Sequence, residues 1–304
     1  MLLRPLTATD LPAATRLLGI ASPYYRAGDV AAEKLFGAAP NSDGPSTIGV
    51  DVDGELAGIA SIDGNRIRVL AVAPTYRERG IGAQLLAWCE HAARTHGHPR
   101  IWALGQAGNY LAPGIDAQDQ ATIGWLRRRH WRESSDIRTN LIVAVHDNPL
   151  VTPARAHDLS VEASTRGYEI RRARPDETRL LAAIGAEFGG AWPFEVERAL
   201  QWRDGELTGA VHVAVRGDDY CAFAAHNGNN SGLGWFGPAG TWPAHRGQRL
   251  GEAVLLACLL DVARQQATCE IAWIGPEPFY QKSCGIIGRR MFVPMKREFT
   301  AEES

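Results

Sequence analysis

The sequence predicts an α/β (α+β) protein built from two tandem domains, and three observations carry that prediction. In the first half, stretches with strand alternation and stretches with helical spacing succeed one another in the order β-α-α-β-β-β-α-β-α-β. The order restarts near Tyr168, where "YEIRRARPDETRLLAAI" matches "MLLRPLTATDLPAATRLL" in type. Distant landmarks then keep nearly one separation. Arg171 stands 167 positions after Arg4 (171 − 4), and Pro243 and Arg246 stand 169 after Pro74 and Arg77 (243 − 74, 246 − 77). A duplicated domain gives such an offset, and chance similarity of one loop does not. A chain of 304 residues suits two domains. The reading places a first domain at 1–145, a linker at 146–166 and a second domain at 167–304.

Taken in order, "LLRPL" is a strand, and Thr9 or Asp10 caps a helix with Leu11, Ala14, Leu17 and Leu18 at helical spacing. A second helical piece around "DVAAEKLFG" follows the break at Pro23-Tyr24-Tyr25. "STIGVDVDGELAGIASID" reads as a hairpin turning at Asp53-Gly54. "NRIRVLAVAP" is the next strand, stopped by Pro74. From Gly80, the positions Ile81, Leu85, Leu86, Cys89, Ala92 and Ala93 form one helical face that closes near Gly97. "RIWALGQ" is a fifth strand, "DAQDQATIGWLRRRH" a helix and "SDIRTNLIVAV" the last strand of the first half. Residues 146–166 are rich in Pro, Ser, Thr and Ala without a sustained period, which reads as a linker with room for a short helix.

Composition narrows the function. Apolar residues are 45% of the chain, charged residues 22%, and the net charge is −2, so no basic surface for nucleic acid is expected. "MLLRPLTATD" lacks the apolar core of a signal peptide, and no apolar run reaches the roughly 18 residues of a membrane span. The cysteines (Cys89, Cys221, Cys258, Cys269, Cys284) are odd in number, scattered and without a C-x-x-C pair, which argues against disulfides and structural zinc. Cys89 and Cys258 read as small buried hydrophobes. His91, His96 and His98 form no metal-ligand arrangement, and no metal is expected. The expectation is a soluble cytoplasmic protein, monomer or homodimer.

One stretch asks for a ligand. "VAPTYRERGIGAQLL", Val72–Leu86, ends a strand and opens a helix, and a blurred copy, "TWPAHRGQRLGEAVLL", runs from Thr241 to Leu256. The first N–H groups of such a helix have no intrahelical partner and lie at the positive end of its dipole. An anion suits them. Gly80 and Gly82 admit a ligand close to the backbone, and Arg77 and Arg79 add forked donors for phosphate oxygens. The same stretch also reads as a tight turn with solvated arginines. A P-loop is excluded because no Lys-Ser or Lys-Thr pair follows a glycine here, and a dinucleotide fingerprint because Gly80-Ile81-Gly82 continues Ala83-Gln84-Leu85.

These residues resemble motif A of the GNAT superfamily, the acyl-CoA-dependent N-acyltransferases, whose pattern is Q/R-x-x-G-x-G/A after a V-x-P strand end. Arg77, Gly80 and Gly82 match it position for position, Val72 and Pro74 match the strand end, and the element order over 1–145 is the family's. The resemblance implies in each domain a mixed, mostly antiparallel central sheet flanked by helices. It also implies acetyl-CoA as cofactor, its pyrophosphate on Arg77, Glu78, Arg79, Gly80, Ile81, Gly82 and Ala83, and its pantetheine arm along Leu70, Ala71 and Val72. In the second copy the matching positions are Gly240, Thr241, Arg246, Gly247, Gln248, Arg249 and Gly251. Arg249 replaces Gly80 there, which sets a Cβ where the diphosphate should approach and adds a positive charge.

Acetyl transfer to an amine requires that the ammonium lose a proton and that the departing thiolate be helped by a donor. Relatives often use a tyrosine after the fifth strand as that donor, and "GPEPFYQKSCG" supplies Tyr280 at the expected place, after Phe279. A phenol near pKa ~10 lies above a thiol near ~8.5, so Tyr280 would share a proton with the thiolate rather than release it. In the first half Leu126 falls at this position. Glu270 and His226 are candidate bases, each more readily read as structural or solvated, and a water relay would leave no trace in the sequence. Acceptor recognition is expected at Tyr24, Tyr25, Trp192 and Phe194, after the first helix of each domain, and at Trp235. The leading expectation is an N-acetyltransferase acting on a small-molecule amine. The alternatives are a CoA-binding sensor without turnover and an N-acyltransferase acting on a protein N-terminus or lysine.

Overall fold

The computed structural model describes residues 2–203, 206–207 and 209–300, and its contacts divide the chain into two units. One unit holds the chain up to Arg138 together with the stretch from Met291 onward, and the other holds Thr139–Arg290.

The first unit runs β1 (Leu2–Pro5), α1 (Leu11–Ala21), α2 (Ala31–Phe36), β2 (Ser46–Val52), β3 (Glu55–Asp63), β4 (Arg66–Val72), α3 (Ile81–Thr95), β5 (Arg100–Ala103) and α4 (Gln120–Arg127). Strands β1 to β4 pair antiparallel in sequence order. The hairpin turns at Asp53-Gly54, both at positive φ, as two central residues of a tight hairpin turn require. Strand β5 lies parallel to β4. Alternation along β3 assigns its two faces. Gly58 faces α3, where an added Cβ would come within 2.7 Å of Ile81. Ser61, three residues on, turns to the other face and bonds Thr47 beside α2 at 3.0 Å.

The second unit repeats this plan with β6 (Arg138–Ala144), α5 (Pro153–Ser164), β7 (Glu169–Arg172), α6 (Thr178–Glu187), α7 (Trp192–Leu200), β8 (Ala210–Arg216), β9 (Asp219–His226), β10 (Trp235–Thr241), α8 (Leu250–Val262), β11 (Thr268–Ile271) and α9 (Glu277–Cys284). Its sheet is ordered β7-β8-β9-β10-β11-β6, with β10 and β11 parallel and the other neighbours antiparallel. The apolar face of β8 and β9 against α6 and α7 is built from Val211, Val213, Val215, Phe223 and Ala225.

Two features differ from the sequence reading. The strand "RTNLIVA", assigned above to the end of the first domain, pairs with β11 of the second unit. The place beside β5 in the first unit is taken by the C-terminal strand Met295–Glu298, whose Met295 is fully buried. Each half thus receives its closing strand from the other half. The contacts therefore cut the chain at 138/139 and 290/291, where the sequence placed 145/146 and 166/167. A strand's alternation specifies which face it buries but not which sheet it joins. The stretch read as a linker contains α5, capped by Thr152 with Pro153 at its first position. It packs within the second unit, with Leu159 and Ala163 in the core beneath α8. All five cysteines are free and buried.

Candidate functional site

Each unit opens a wedge between its two parallel strands. Strand β4 pairs with β5 at Arg66–Trp102 and Ile67–Ala103, and the last described bond runs from the Leu104 N–H to the Ile67 carbonyl at 2.8 Å. At this point β4 bulges: β3 matches Ser61 to Val69 but Ile62 to Ile67, leaving Arg68 as the extra residue. Leu70, Ala71 and Val72 stay paired with β3 and run on without a strand partner on the β5 side among the described residues, where the Val72 carbonyl accepts from Arg77 Nε. Their backbone groups on that side are open to an extended ligand chain. In the second unit β10 and β11 pair at Trp235–Glu270 and Phe236–Ile271, after which β10 takes in an extra residue at Gly237-Pro238.

The glycine-arginine loop stands at the mouth of each wedge, with the same backbone in both. Two residues are left-handed in each: Glu78 (φ 63°) and Gly80 (φ 81°) in the first, Gly247 (φ 75°) and Arg249 (φ 58°) in the second. Each copy places its glycine at a different one of the two positions. A Cβ on Gly80 would meet no protein atom within 4 Å, so that glycine serves φ, and Arg249 adopts a similar left-handed φ. The close glycines are Gly82, where a Cβ would lie 3.4 Å from Trp125 and 3.7 Å from Val72, and Gly251, where it would lie 3.0 Å from Thr241 Oγ1. No described side chain caps α3 or α8. The first helical bonds are Gln84 N–H to Gly80 O and Ala253 N–H to Arg249 O, both 3.1 Å. The N–H groups of Ile81, Gly82 and Ala83, and of Leu250, Gly251 and Glu252, therefore lack helical partners. Arg77 Nε donates to the Val72 carbonyl (3.4 Å) and Arg246 Nε to the Thr241 carbonyl (3.3 Å), which fixes each arginine at its strand end. Arg79 lies over the Tyr76 ring at 5.3 Å. This donor set fits a diphosphate.

The second loop has additional support from α5. Arg166 donates to the Gln248 carbonyl at 3.0 Å. Arg249 pairs with Glu162 at 2.7 Å and with Glu252 at 2.9 Å, and Arg155 reaches the other Glu252 oxygen. The charge on Arg249 is thus balanced within the protein.

Tyr280 is partly buried on α9, its ring edge-on to Phe236 (6.3 Å) and Phe279 (5.0 Å). Phe236 is the last residue of β10 before the bulge, so the Tyr280 ring packs against the strand at that point. Burial pushes its pKa up to about 12. Leu126 is buried on α4 in the first unit. Of the two candidate bases Glu270 is engaged elsewhere, whereas neither ring nitrogen of His226 has a hydrogen-bond partner among the described residues. Glu270 accepts from Asn140 Nδ2 at 2.6 Å and pairs with Arg290 at 3.0 Å. His226 is buried 3.7 Å from Asp261, and burial lowers its pKa. Asp261 also holds His212 at 2.7 Å and Arg172; burial raises its pKa, but the hydrogen bonds it accepts and the Arg172 guanidinium outweigh that and keep the carboxyl below the usual carboxylate range.

Of the expected acceptor residues, Trp192 stacks on Phe188 at 5.3 Å within a cluster that includes Phe223. Phe194 lies under Arg198 at 5.9 Å, and Trp235 is buried at the start of β10. Tyr24 is partly buried after α1, and the Tyr25 hydroxyl accepts from the Asp116 N–H at 2.6 Å. Gly240 is a packing glycine, since a Cβ there would come within 2.8 Å of Phe188. The sequence reading passed over Arg68. Its one signal was a charge inside the apolar run "RIRVLAV". The guanidinium is wholly buried and donates to Gln106 Oε1, the Gly37 carbonyl and Asp63.

Residues 16–112 match the model of the Acetyltransferase (GNAT) family. No curated protein matches the chain in sequence. Among solved structures, a tandem GNAT protein from the clavulanic acid biosynthesis pathway superposes with a TM-score of 0.70 at 19% identity over 98% of each chain. A GCN5-related N-acetyltransferase from Sphaerobacter thermophilus gives 0.59 at 19% identity over 98% of this chain and 95% of that one. The GCN5-related glucosamine N-acetyltransferase region of a fungal multi-domain β-N-acetylglucosaminidase gives 0.72 at 16% identity over 97% of this chain. This chain spans 38% of the length of that fungal protein. The architecture is that of tandem GNAT proteins.

Proposed function

We propose that this chain, a tandem GNAT fold with a family match in its first unit, is an acetyl-CoA-dependent N-acetyltransferase that acylates a small-molecule amine, with transfer in the second unit. The observation that carries the reading is the juxtaposition of Tyr280 with the β10 wedge, at whose mouth Arg246 and the uncapped start of α8 stand together.

Bound acetyl-CoA supplies an acyl group already activated as a thioester. The residues of the chain bind it, align it and manage the protons. In the second unit, Gly240 and Thr241 offer backbone groups to the pantetheine amides, while Arg246 and the N–H groups of Leu250 to Glu252 hold the diphosphate. In the first unit, Leu70 to Val72 and Arg77 to Ala83 offer the equivalent cradle. Tyr280 hydrogen-bonds the sulfur as negative charge develops there, and its raised pKa keeps the phenol protonated at neutral pH. With Glu270 held by Asn140 and Arg290, the proton of the incoming ammonium passes to water.

Loss of a general acid typically lowers rate by about 10²–10⁴-fold, roughly 3–5 kcal/mol in barrier. Water partly substitutes, so Tyr280→Phe should cut steady-state thiol release at least about tenfold and leave cofactor affinity nearly unchanged. Arg246→Ala should instead weaken cofactor binding. The assay is run with a panel of small amines beside peptides bearing a free N-terminus or lysine. Full activity in Tyr280→Phe, together with its loss on disabling the first loop, would place transfer in the first unit. Turnover restricted to the peptides would replace the small-molecule acceptor.

A further inference from the structure

The two wedges differ at their bulges. In the first unit the extra residue is Arg68, whose side chain packs on the face that carries α2. It donates there to the Gly37 carbonyl just past α2, and Gln106 and Asp63 complete its shell. Asn109 pins the same region, donating from Nδ2 to the carbonyls of Glu33 (3.0 Å) and Ala38 (2.9 Å). The loop that would hold a diphosphate opens α3, on the opposite face, so a cofactor enters from the α3 side and an acceptor must come from the α2 side. That side is filled at the apex of the wedge. In the second unit the bulge falls at Gly237, and a Cβ built there would meet nothing within 4 Å.

We infer that Arg68 closes the acceptor side of the first wedge, so that the first unit holds CoA without transferring from it and transfer is confined to the second. The inference rests on the reading of both loops as CoA sites. It explains why the unit with Leu126 in place of the tyrosine retains its loop: a site that binds needs Arg77 and Gly82, whereas only a site that transfers needs a donor and an open apex. Arg68 is here a residue that excludes, and it takes no part in chemistry.

The test is equilibrium binding of CoA and of its S-benzyl thioether, which cannot turn over, to two single-site chains. Gly251→Trp leaves the first wedge, and Gly82→Trp leaves the second. The first wedge should bind the thioether at least about tenfold more weakly than CoA, as expected when bulk is forced against a packed group. The second should bind the two within about threefold. Adding Arg68→Ala to the Gly251→Trp chain should bring the thioether to within about threefold of CoA. Circular dichroism and an unchanged CoA affinity certify the fold, and Arg68→Met is the second variant if alanine is not tolerated. Equal binding of thioether and CoA by the first wedge overturns the inference, as does an absence of CoA binding there. A folded Arg68 variant that still rejects the thioether removes Arg68 as the cause. If neither variant folds, the comparison of the two single-site chains decides alone. Amine turnover is measured separately: its absence, with this binding pattern intact, ends the enzymatic reading and leaves the closure of the first wedge standing.

Discussion

At the scale of single residues, protonation of Tyr280 sets a pH signature. Its phenol is pushed up to about 12 by burial, so it remains a donor throughout the range in which an amine acceptor becomes deprotonated. The rate should therefore rise with pH as free amine accumulates and should show no alkaline fall below about pH 10. A descending limb in kcat at pH 8 to 9 would mean that a different group donates the proton. The same scale shows what the sequence concealed. Arg77, Gly82 and Tyr280 were legible as candidates because the proposed chemistry restricts which residue types serve. The left-handed φ of Arg249 was not legible, since it is a backbone property that letters do not display. Arg68 was missed because a buried arginine becomes interpretable only once its partners from three separate segments are known.

At the scale of elements, α8 is joined to the sheet by a polar contact as well as by its apolar face. Asp261, near its C-terminal end, meets His226 at the end of β9, His212 on β8 and Arg172 on β7. His226 is held neutral by burial, its pKa below the ordinary 6.5. The unfolded chain binds that proton first as pH falls, so the contribution is complete above about 6.5 and is lost progressively below it, by at most roughly 1.4 kcal/mol per pH unit. The lowered pKa of Asp261 has its effect further down. Its contribution holds above the ordinary 3.8 and is lost as pH falls below that value. The melting temperature should stay level from pH 8 to 7 and fall between about 6.5 and 4, and His226→Phe should remove the upper part of that fall. A melting temperature flat to pH 4.5 would show that His226 does not contribute. Helices and strands were otherwise well specified by periodicity. The exception is α5, hidden in a stretch whose polar outer face masks the buried pair Leu159 and Ala163.

At the scale of the whole molecule, exchange of the closing strands makes neither half of the sequence a complete unit. A chain ended at Arg290 would lose Phe292 and Met295, both fully buried, each contributing about 1.5–3 kcal/mol. It would also lose the ion pair from Arg297 to Glu90, the carboxylate that accepts from Trp131 Nε1 at 2.9 Å. Against a domain stability of about 5–15 kcal/mol, that is a large share. Such a chain should be cleaved rapidly by protease within residues 1–138, while 139–290 resist; equal resistance of the two stretches would contradict the strand assignment. The duplication itself was legible from its constant offset. The exchange was not, because alternation within a strand does not name its partner and pairing is chosen in three dimensions. The exchange also orders events in time. A ribosome makes the sheet of the first unit with a slot beside β5 and fills it only with Met295–Glu298, made after the whole of the second unit. At about 5–20 residues per second, the intervening stretch takes roughly 10–30 s to emerge. Throughout that interval the edge of β5 is unpaired, so the half translated first finishes folding only after the second unit has been made.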